Sequence, residues 1–285
     1  MDQRYTIRSL HLHDMEKLKK MDTGIENDYI IRIFKRLVSA AEHGVVGLFS
    51  DEDLVSLAGY TIFADEFAML GRLRTDRNYS GQGYSTKVLQ HIIDYSNRKA
   101  NISWIGANTQ IHNTPARKVI EKAGLNAGPT HFYTVLKSPE QVTGTKGPVW
   151  EKVDTFNEKS SLLASLHFTA LDAFPYECYY PLPFDQQLFT NNYLEECTFY
   201  VNSATDRFVI LRNDLKGDLY SHVKYLWDDH YEQPGFFETI QYHLKTISPE
   251  TAGAWIDFSQ DGFKNIPDKT PYEIQKPWIL YGKWL

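Results

Sequence analysis

Residues 69–96, MLGRLRTDRNYSGQGYSTKVLQHIIDYS, run from an apolar strand-like segment, through a loop holding Gly81 and Gly83, into a helical pattern. A strand that feeds a helix through such a loop leaves several N–H groups at the helix start without internal partners. The helix dipole adds partial positive charge there. Glycines remove the Cβ and let an anion approach the backbone. Gly81, Gln82, Gly83, Tyr84, Ser85 and Thr86 therefore read as a phosphate cradle, with the Ser85 and Thr86 hydroxyls as further donors. The stretch has neither the G-K-[ST] of a Walker loop nor the G-x-G-x-x-G of a dinucleotide fold. Taken alone, G-x-G reads first as a plain tight turn, so its surroundings decide the matter.

Those surroundings alternate strands and helices. YTIRSL (5–10) alternates as a strand, and HDMEKLKKMD (13–22) is a short helix. Ile30, Ile31, Phe34, Leu37, Val38 and Ala41 form a helical stripe closed by Gly44. Residues 45–64 read as a hairpin around the acidic turn Asp51-Glu52-Asp53, and FAMLGRLRT (67–75) as a further strand. After the glycine loop come a helix over 84–97, the strand ISWIGAN (102–108), and the helix TPARKVIEKAG, with Pro115 in its first turn and Gly124 at its end. THFYTVLK (130–137) closes the set. The Ser, Pro, Gly and Thr content of residues 137–148 is that of a linker. The 285 residues suit two domains: 1–137, a linker over 138–150, and a mixed α and β domain over 151–285.

Composition narrows the function. A net charge of −6 and a pI near 5.9 argue against phosphate-backbone binding as the main task. Cys178 and Cys197 have no C-x-x-C spacing, so neither a disulfide framework nor a thiolate zinc site is expected. His11 and His13 form H-x-H with no third ligand nearby, so no metal is expected. The first residues carry charges where a signal peptide is apolar, and no apolar run is long enough to span a bilayer. The expectation is a cytoplasmic protein with no membrane and no nucleic-acid partner.

The loop resembles the acetyl-CoA signature of the GNAT N-acetyltransferase superfamily, Q/R-x-x-G-x-G/A, which falls on Asn78, Tyr79, Ser80, Gly81, Gln82 and Gly83. Asn78 departs from Gln or Arg, and Ser80 replaces a common Arg. Downstream, TQIHNTPARKVIEKAGL is similar to the family's T-x-x-x-N-x-x-A-x-x-x-Y-E-K-x-G-F segment at Thr109, Asn113, Ala116, Glu121, Lys122 and Gly124, with Leu125 for Phe. The resemblance covers roughly residues 4–137. It implies an α/β (α+β) acyl-CoA N-acyltransferase fold whose fourth strand splays from the fifth, with pantetheine in the gap. Backbone groups of Leu73 and Thr75 would pair with the pantetheine amides, residues 81–86 would hold the pyrophosphate, and Asn113 would face the pantetheine arm. The implied reaction is direct attack of an amine on the thioester of acetyl-CoA, assisted by a base and a strand N–H.

One departure touches the chemistry. The family tyrosine that protonates the leaving thiolate is Ile120 here. A thiol of pKa about 8.5 leaves tolerably unprotonated. Tyr79, Tyr84 and Tyr133 are hydroxyls that could replace the acid, with packing as the alternative for each; Tyr133 is taken as the candidate. Glu66, before the fourth strand, is preferred to Glu121 as general base. His131 could touch substrate or be a satisfied structural histidine.

The second half carries a fainter copy. Residues 225–248 align with 73–96 without a gap: Asp228 with Asp76, Tyr231 with Tyr79, Gly235 with Gly83, His243 with His91, Ser248 with Ser96. Trp255-Ile256 would match Trp104-Ile105, and PWILYGKWL would play the part of HFYTVLKS. Glu232, Gln233 and Pro234 spoil the copied cradle by charge, by a side chain and by a missing N–H. A degenerate second GNAT-like domain that binds no CoA is the expectation. The layout loosely resembles histidine N-acetyltransferase-like proteins, which implies a small amine, such as an amino acid, as acceptor. A non-catalytic CoA-binding sensor or scaffold is the alternative function, and a homodimer is allowed.

Overall fold

The computed structural model describes residues 5–166 and 169–285. The chain forms two compact units, Met1–Gly128 with Leu280–Leu285, and Pro129–Ile279.

In the first unit the order is β1 (Tyr5–Ser9), α1 (Met15–Lys20), α2 (Tyr29–Ser39), β2 (His43–Ser50), β3 (Asp53–Phe63), β4 (Phe67–Thr75), α3 (Tyr84–Asn97), β5 (Trp104–Gln110) and α4 (Thr114–Lys122). The strands line up β1-β2-β3-β4-β5, antiparallel except for the parallel pair β4–β5. Asp28 caps α2 by accepting the Ile30 N–H, and Ile30, Phe34 and Leu37 bury the helix's apolar face. They pack with Leu18, Val45, Phe49 and Leu57. Val88, Leu89, Ile92 and Ile93 do the same for α3. Asn113 caps α4, and Gly124 turns the chain out of it at φ +91°. One boundary differs from the sequence expectation. The α2 stripe ends at Ser39, with Ala40 already extended, and Gly44 belongs to β2. Gly44 is needed there for contact, since a Cβ would stand 2.3 Å from Cζ of Tyr60.

The second unit holds most of β6 (Asn126–Leu136), then β7 (Glu151–Val153), α5 (Phe156–Ala164), β8 (Phe174–Glu177), β9 (Tyr180–Leu182), α6 (Asn191–Glu196), β10 (Thr198–Val201), β11 (Phe208–Lys216), β12 (Asp218–Lys224), α7 (Phe236–Thr246), β13 (Ala254–Phe258), α8 (Gln260–Lys264), β14 (Tyr272–Ile274) and the start of β15 (Trp278–Trp284). Its strands run β6-β13-β12-β11-β10-β7, with β14 on β6 and β8–β9 as a separate ribbon. The one parallel pair among these is β12–β13. Thus β11, β12, α7 and β13 repeat the order and the strand senses of β3, β4, α3 and β5. Val223, Phe236, Phe237, Ile240, Ile256 and Phe258 lie in the core between α7 and this sheet.

Two segments lie elsewhere than the sequence suggests. THFYTVLK, assigned above to the first domain, pairs with β13 in the second unit. Residues 280–285 of PWILYGKWL, assigned to the second, belong to the first, where the Leu285 N–H donates to the Ser103 carbonyl at 2.9 Å. Alternation identifies a strand but not its partner. Residues 138–150 fall inside the second unit, with Val142 and Trp150 buried.

Candidate functional site

The site begins where β4 and β5 part. They pair from Phe67–Leu70 to Trp104–Ala107 and no further, although β4 runs to Thr75 and β5 to Gln110. A bulge accompanies the parting: on β3, Ala58 faces both Arg72 and Leu73, and Arg72 takes φ +58°. Leu73 and Thr75 lie on the opened stretch, and Thr109 lies on the β5 side of the gap, nearly buried. The opened strand is tied down by a bidentate ion pair. Arg74 Nε and Nη2 donate to the Asp28 carboxylate at 2.6 and 2.9 Å, and Nη1 donates to the Leu73 carbonyl at 2.9 Å. Burial opposes ionisation of Asp28, but the hydrogen bonds from Arg74 and the Ile30 amide outweigh it and hold the carboxyl below its ordinary value.

The loop after β4 is stitched at both ends. Asp76 Oδ1 accepts the Asn78 N–H at 2.9 Å and the Asn78 side-chain amide at 3.0 Å, while Oδ2 accepts the Asp22 N–H at 3.0 Å. Thr75 Oγ1 lies 2.6 Å from Ser85 Oγ, joining the strand end to the first turn of α3. Gly81 and Gly83 adopt φ +79° and +78°, and no atom lies within 4 Å of where a Cβ would be at either. Their bareness faces open space. The first bond back along the helix is Lys87 N–H to Gly83 C=O at 3.1 Å. Among the described residues, the amides of Gly81, Gln82, Gly83, Ser85 and Thr86 find no backbone acceptor. Ser80 and Gln82 are exposed, Tyr79 and Thr86 half-buried, and Tyr84 buried. Amides in a row at a helix start present partial positive charge, which favours an anion.

A cation that no sequence motif marks stands at the same helix start. Lys87 Nζ sits 4.1 Å from the Tyr5 ring centroid and 5.6 Å from that of Tyr84, at the first turn of α3. It puts positive charge on the helix that starts the cradle, whose signature positions carry Asn78 and Ser80 in place of arginine.

The chemistry-bearing candidates are scattered. Glu66 is half-exposed in the β3–β4 turn, and its carbonyl accepts the Ser103 N–H at 3.0 Å. That is the paired end of β4, on the order of 30 Å along the strand from Thr75. Asn113 accepts the Ala116 N–H at 3.3 Å as the cap of α4. Ile120 is buried in α4, and Glu121 on its next residue is exposed. Tyr133, expected as a replacement acid, is fully buried in the second unit among Tyr179, Trp255 and Trp278, a packing position. His131 is also fully buried, and burial pushes its pKa down to about 4, so it stands neutral in the core. A second hydroxyl that the sequence did not suggest is Tyr281. It donates to Glu121 Oε1 at 2.8 Å and accepts from Arg117 Nε at 3.0 Å. Arg117 and Glu121 flank Ile120, and no local pattern could have connected them with a residue 160 positions away.

Among the described residues one set of metal-type donors comes together, Cys178, Asp214 and His222, within 4.8 Å of one another in the second unit. Both ring nitrogens of His222 are already engaged, Nε2 at 2.5 Å from Asp257 and Nδ1 at 2.7 Å from Lys224. At the copied loop, the Glu232 and Gln233 amides both donate to the Asp229 carbonyl.

Residues 7–125 match the model of the acetyltransferase (GNAT) family. This segment is a GNAT acetyltransferase domain. GNAT acetyltransferases use acetyl-CoA as acyl donor. Among solved structures, the chain resembles a GCN5-related N-acetyltransferase from Sphaerobacter thermophilus, 11% identical, covering 100% of this chain and 96% of the other at a TM-score of 0.61. It also resembles a tandem GNAT protein from the clavulanic acid biosynthesis pathway, 12% identical, covering 99% and 98% at a TM-score of 0.54. The fold is the mixed α/β GNAT fold, shared over nearly the whole chain with a tandem GNAT protein. Among curated proteins none matches the chain. Among the described residues no helix is long and apolar enough to cross a membrane.

Proposed function

We propose that the chain moves the acetyl group of acetyl-CoA to a primary amine of a small molecule, an amino acid or a related amine, in the gap between β4 and β5. The observation that carries this is the parting of the two strands beyond Leu70 and Ala107, with the β4 side leading to the amides of Gly81, Gln82, Gly83, Ser85 and Thr86, which among the described residues find no backbone acceptor. In this reading those amides, with Lys87 close by, hold the pyrophosphate. The backbone of Leu73 and Thr75 lines the pantetheine path, with Asn78, Tyr79, Thr109 and Asn113 around it. The amine attacks the thioester carbon, a strand N–H polarises the carbonyl, and the amine's proton passes to a base. Glu66 is the carboxylate assigned to that step, through water. The thiol is acidic enough, at a pKa of about 8.5, to leave as thiolate. A net charge of −6 suits a small acceptor better than nucleic acid.

A non-catalytic CoA-binding role is the second reading, favoured by Ile120 in place of an acid and by Glu66 at the far end of β4. Turnover separates the two. Thiol release from acetyl-CoA is measured against a panel of amines, with product mass detection. The proposal requires release that depends on an added small amine. Tight acetyl-CoA binding with no amine-dependent release from any of them would establish the binding role instead.

A further inference from the structure

Gly235 caps α7 at φ 79°, ψ 4°, and Gly83 caps α3 at φ 78°, ψ 7°. With the same dihedrals, a Cβ on either would point the same way relative to its helix. Beside Gly83 that position is open. Beside Gly235 it is filled by the chain: the Pro148 carbonyl oxygen would lie 1.9 Å from the added atom, with Gly147 at 3.1 Å. The segment leading there is fastened along its length. Gly235 donates its N–H to the Thr145 carbonyl at 3.1 Å. Thr145 donates its own N–H and hydroxyl to the Tyr231 carbonyl at 2.9 and 2.8 Å. Lys146 pairs with Glu238 at 3.2 Å. Beyond the segment, Trp150 donates its N–H to Thr239 Oγ1 and its indole N–H to the Pro234 carbonyl. Two glycines make the approach feasible. A Cβ on Gly147 would stand 2.6 Å from the Gly235 nitrogen, and one on Gly144 would stand 2.6 Å from the Phe237 ring.

We propose that Gly144–Pro148 is the built-in occupant of the second cradle. Its carbonyls take the position and the helix-start polarity that a phosphate takes in the first unit, so the second unit binds its own strap in place of a nucleotide. The remaining loop amides agree with this. Those of Glu232 and Gln233 are turned to the Asp229 carbonyl, Pro234 has none, and that of Phe236 is bonded to the Gln233 carbonyl. A carbonyl dipole suits the site better than a dianion would, because the Asp229 carboxylate, bonded to the Gln233 side chain, stands behind the loop. The proposal concerns the second unit alone and does not depend on the acetyl-transfer reading.

Hydrogen exchange by mass spectrometry and calorimetry on the full chain test it, with acetyl-CoA as the probe. One equivalent is expected to bind. Peptides over 77–86 should exchange at least fivefold more slowly with acetyl-CoA, and those over 144–150 and 231–237 should not change. A second equivalent, protection over 231–237, or release of 144–150 on adding acetyl-CoA would overturn the proposal. Gly147→Val should lift the strap and raise exchange over 144–150 and at the Gly235 amide at least tenfold, with affinity at the first cradle kept within twofold. Thr145→Ala, which loses one hydrogen bond and adds no bulk, should give a smaller rise of the same kind if the valine variant does not fold. Unchanged exchange over these peptides in a folded variant would show that the segment is not seated there, and would overturn the proposal too.

Discussion

Gly83 and Gly235 stand 152 positions apart with φ of 78° and 79°, yet one faces open space and the other a carbonyl oxygen. The same backbone turn thus serves two ends, and the difference should show in substitutions. Gly83→Glu puts a carboxylate where a pyrophosphate would lie. The left-handed backbone costs a non-glycine residue about 1–2 kcal/mol, which leaves the fold intact. Calorimetry should find acetyl-CoA binding abolished in a folded variant. Unchanged affinity would remove this loop from the cofactor site.

Tyr281→Phe removes the hydroxyl held between Arg117 and Glu121. Both partners reach water, so the expected cost is about 1 kcal/mol of stability, read as a lowered melting midpoint. With anchoring of α4 as the hydroxyl's role, kcat should stay within twofold. A large fall in kcat at an unchanged KM and midpoint would instead give the Tyr281 hydroxyl the protonation that Ile120 cannot perform.

His131 predicts an acid weakness. Burial lowers its pKa from 6.5 to about 4 in the folded chain. Below pH 6.5 the unfolded chain binds a proton that the folded chain refuses until about pH 4, so stability falls as pH falls through that window. Between pH 7 and 5 this one group should cost about 2 kcal/mol. His230, also fully buried with its pKa pushed down to about 4, adds to the same slope. Urea unfolding at both pH values should show His131→Phe losing less stability on acidification than the parent. Equal losses would mean that His131 is protonated or exposed when folded.

The cradle was legible because everything that makes it is contiguous: a strand, two glycines that must take positive φ, and a helix stripe. The repeat around Gly235 was legible for the same reason. What encloses those elements was not. Residues 130–137 and 280–285 read as strands, but an edge pattern does not say which sheet it will join, and each joined the other unit. Residues 144–148 read as a linker because Gly, Thr and Pro suit one, and only the Cβ contacts show that these glycines permit close packing. In the sequence, Tyr133 offers a hydroxyl shortly after α4. It sits instead in an aromatic core supplied by residues more than 40 positions away, out of reach of any local pattern.

The Arg74–Asp28 pair makes the last prediction, because it links the opened strand to α2. Both side chains are largely buried, 13% and 6% exposed. Asp28→Ala would leave the guanidinium without its carboxylate, and breaking a buried pair from one side costs about 3–5 kcal/mol. Replacing both at once, Asp28→Leu with Arg74→Met, removes the charges together and should recover most of that loss, since apolar groups of similar size are often neutral in such a place. Affinity should behave otherwise. Arg74 also holds the Leu73 carbonyl at 2.9 Å, on the stretch assigned to pantetheine. The double variant should therefore unfold in urea near the parent midpoint and still bind acetyl-CoA at least fivefold more weakly. A double variant with parental stability and parental affinity would show that the ion pair only holds the fold, and that the gap beyond Leu70 keeps its shape without it.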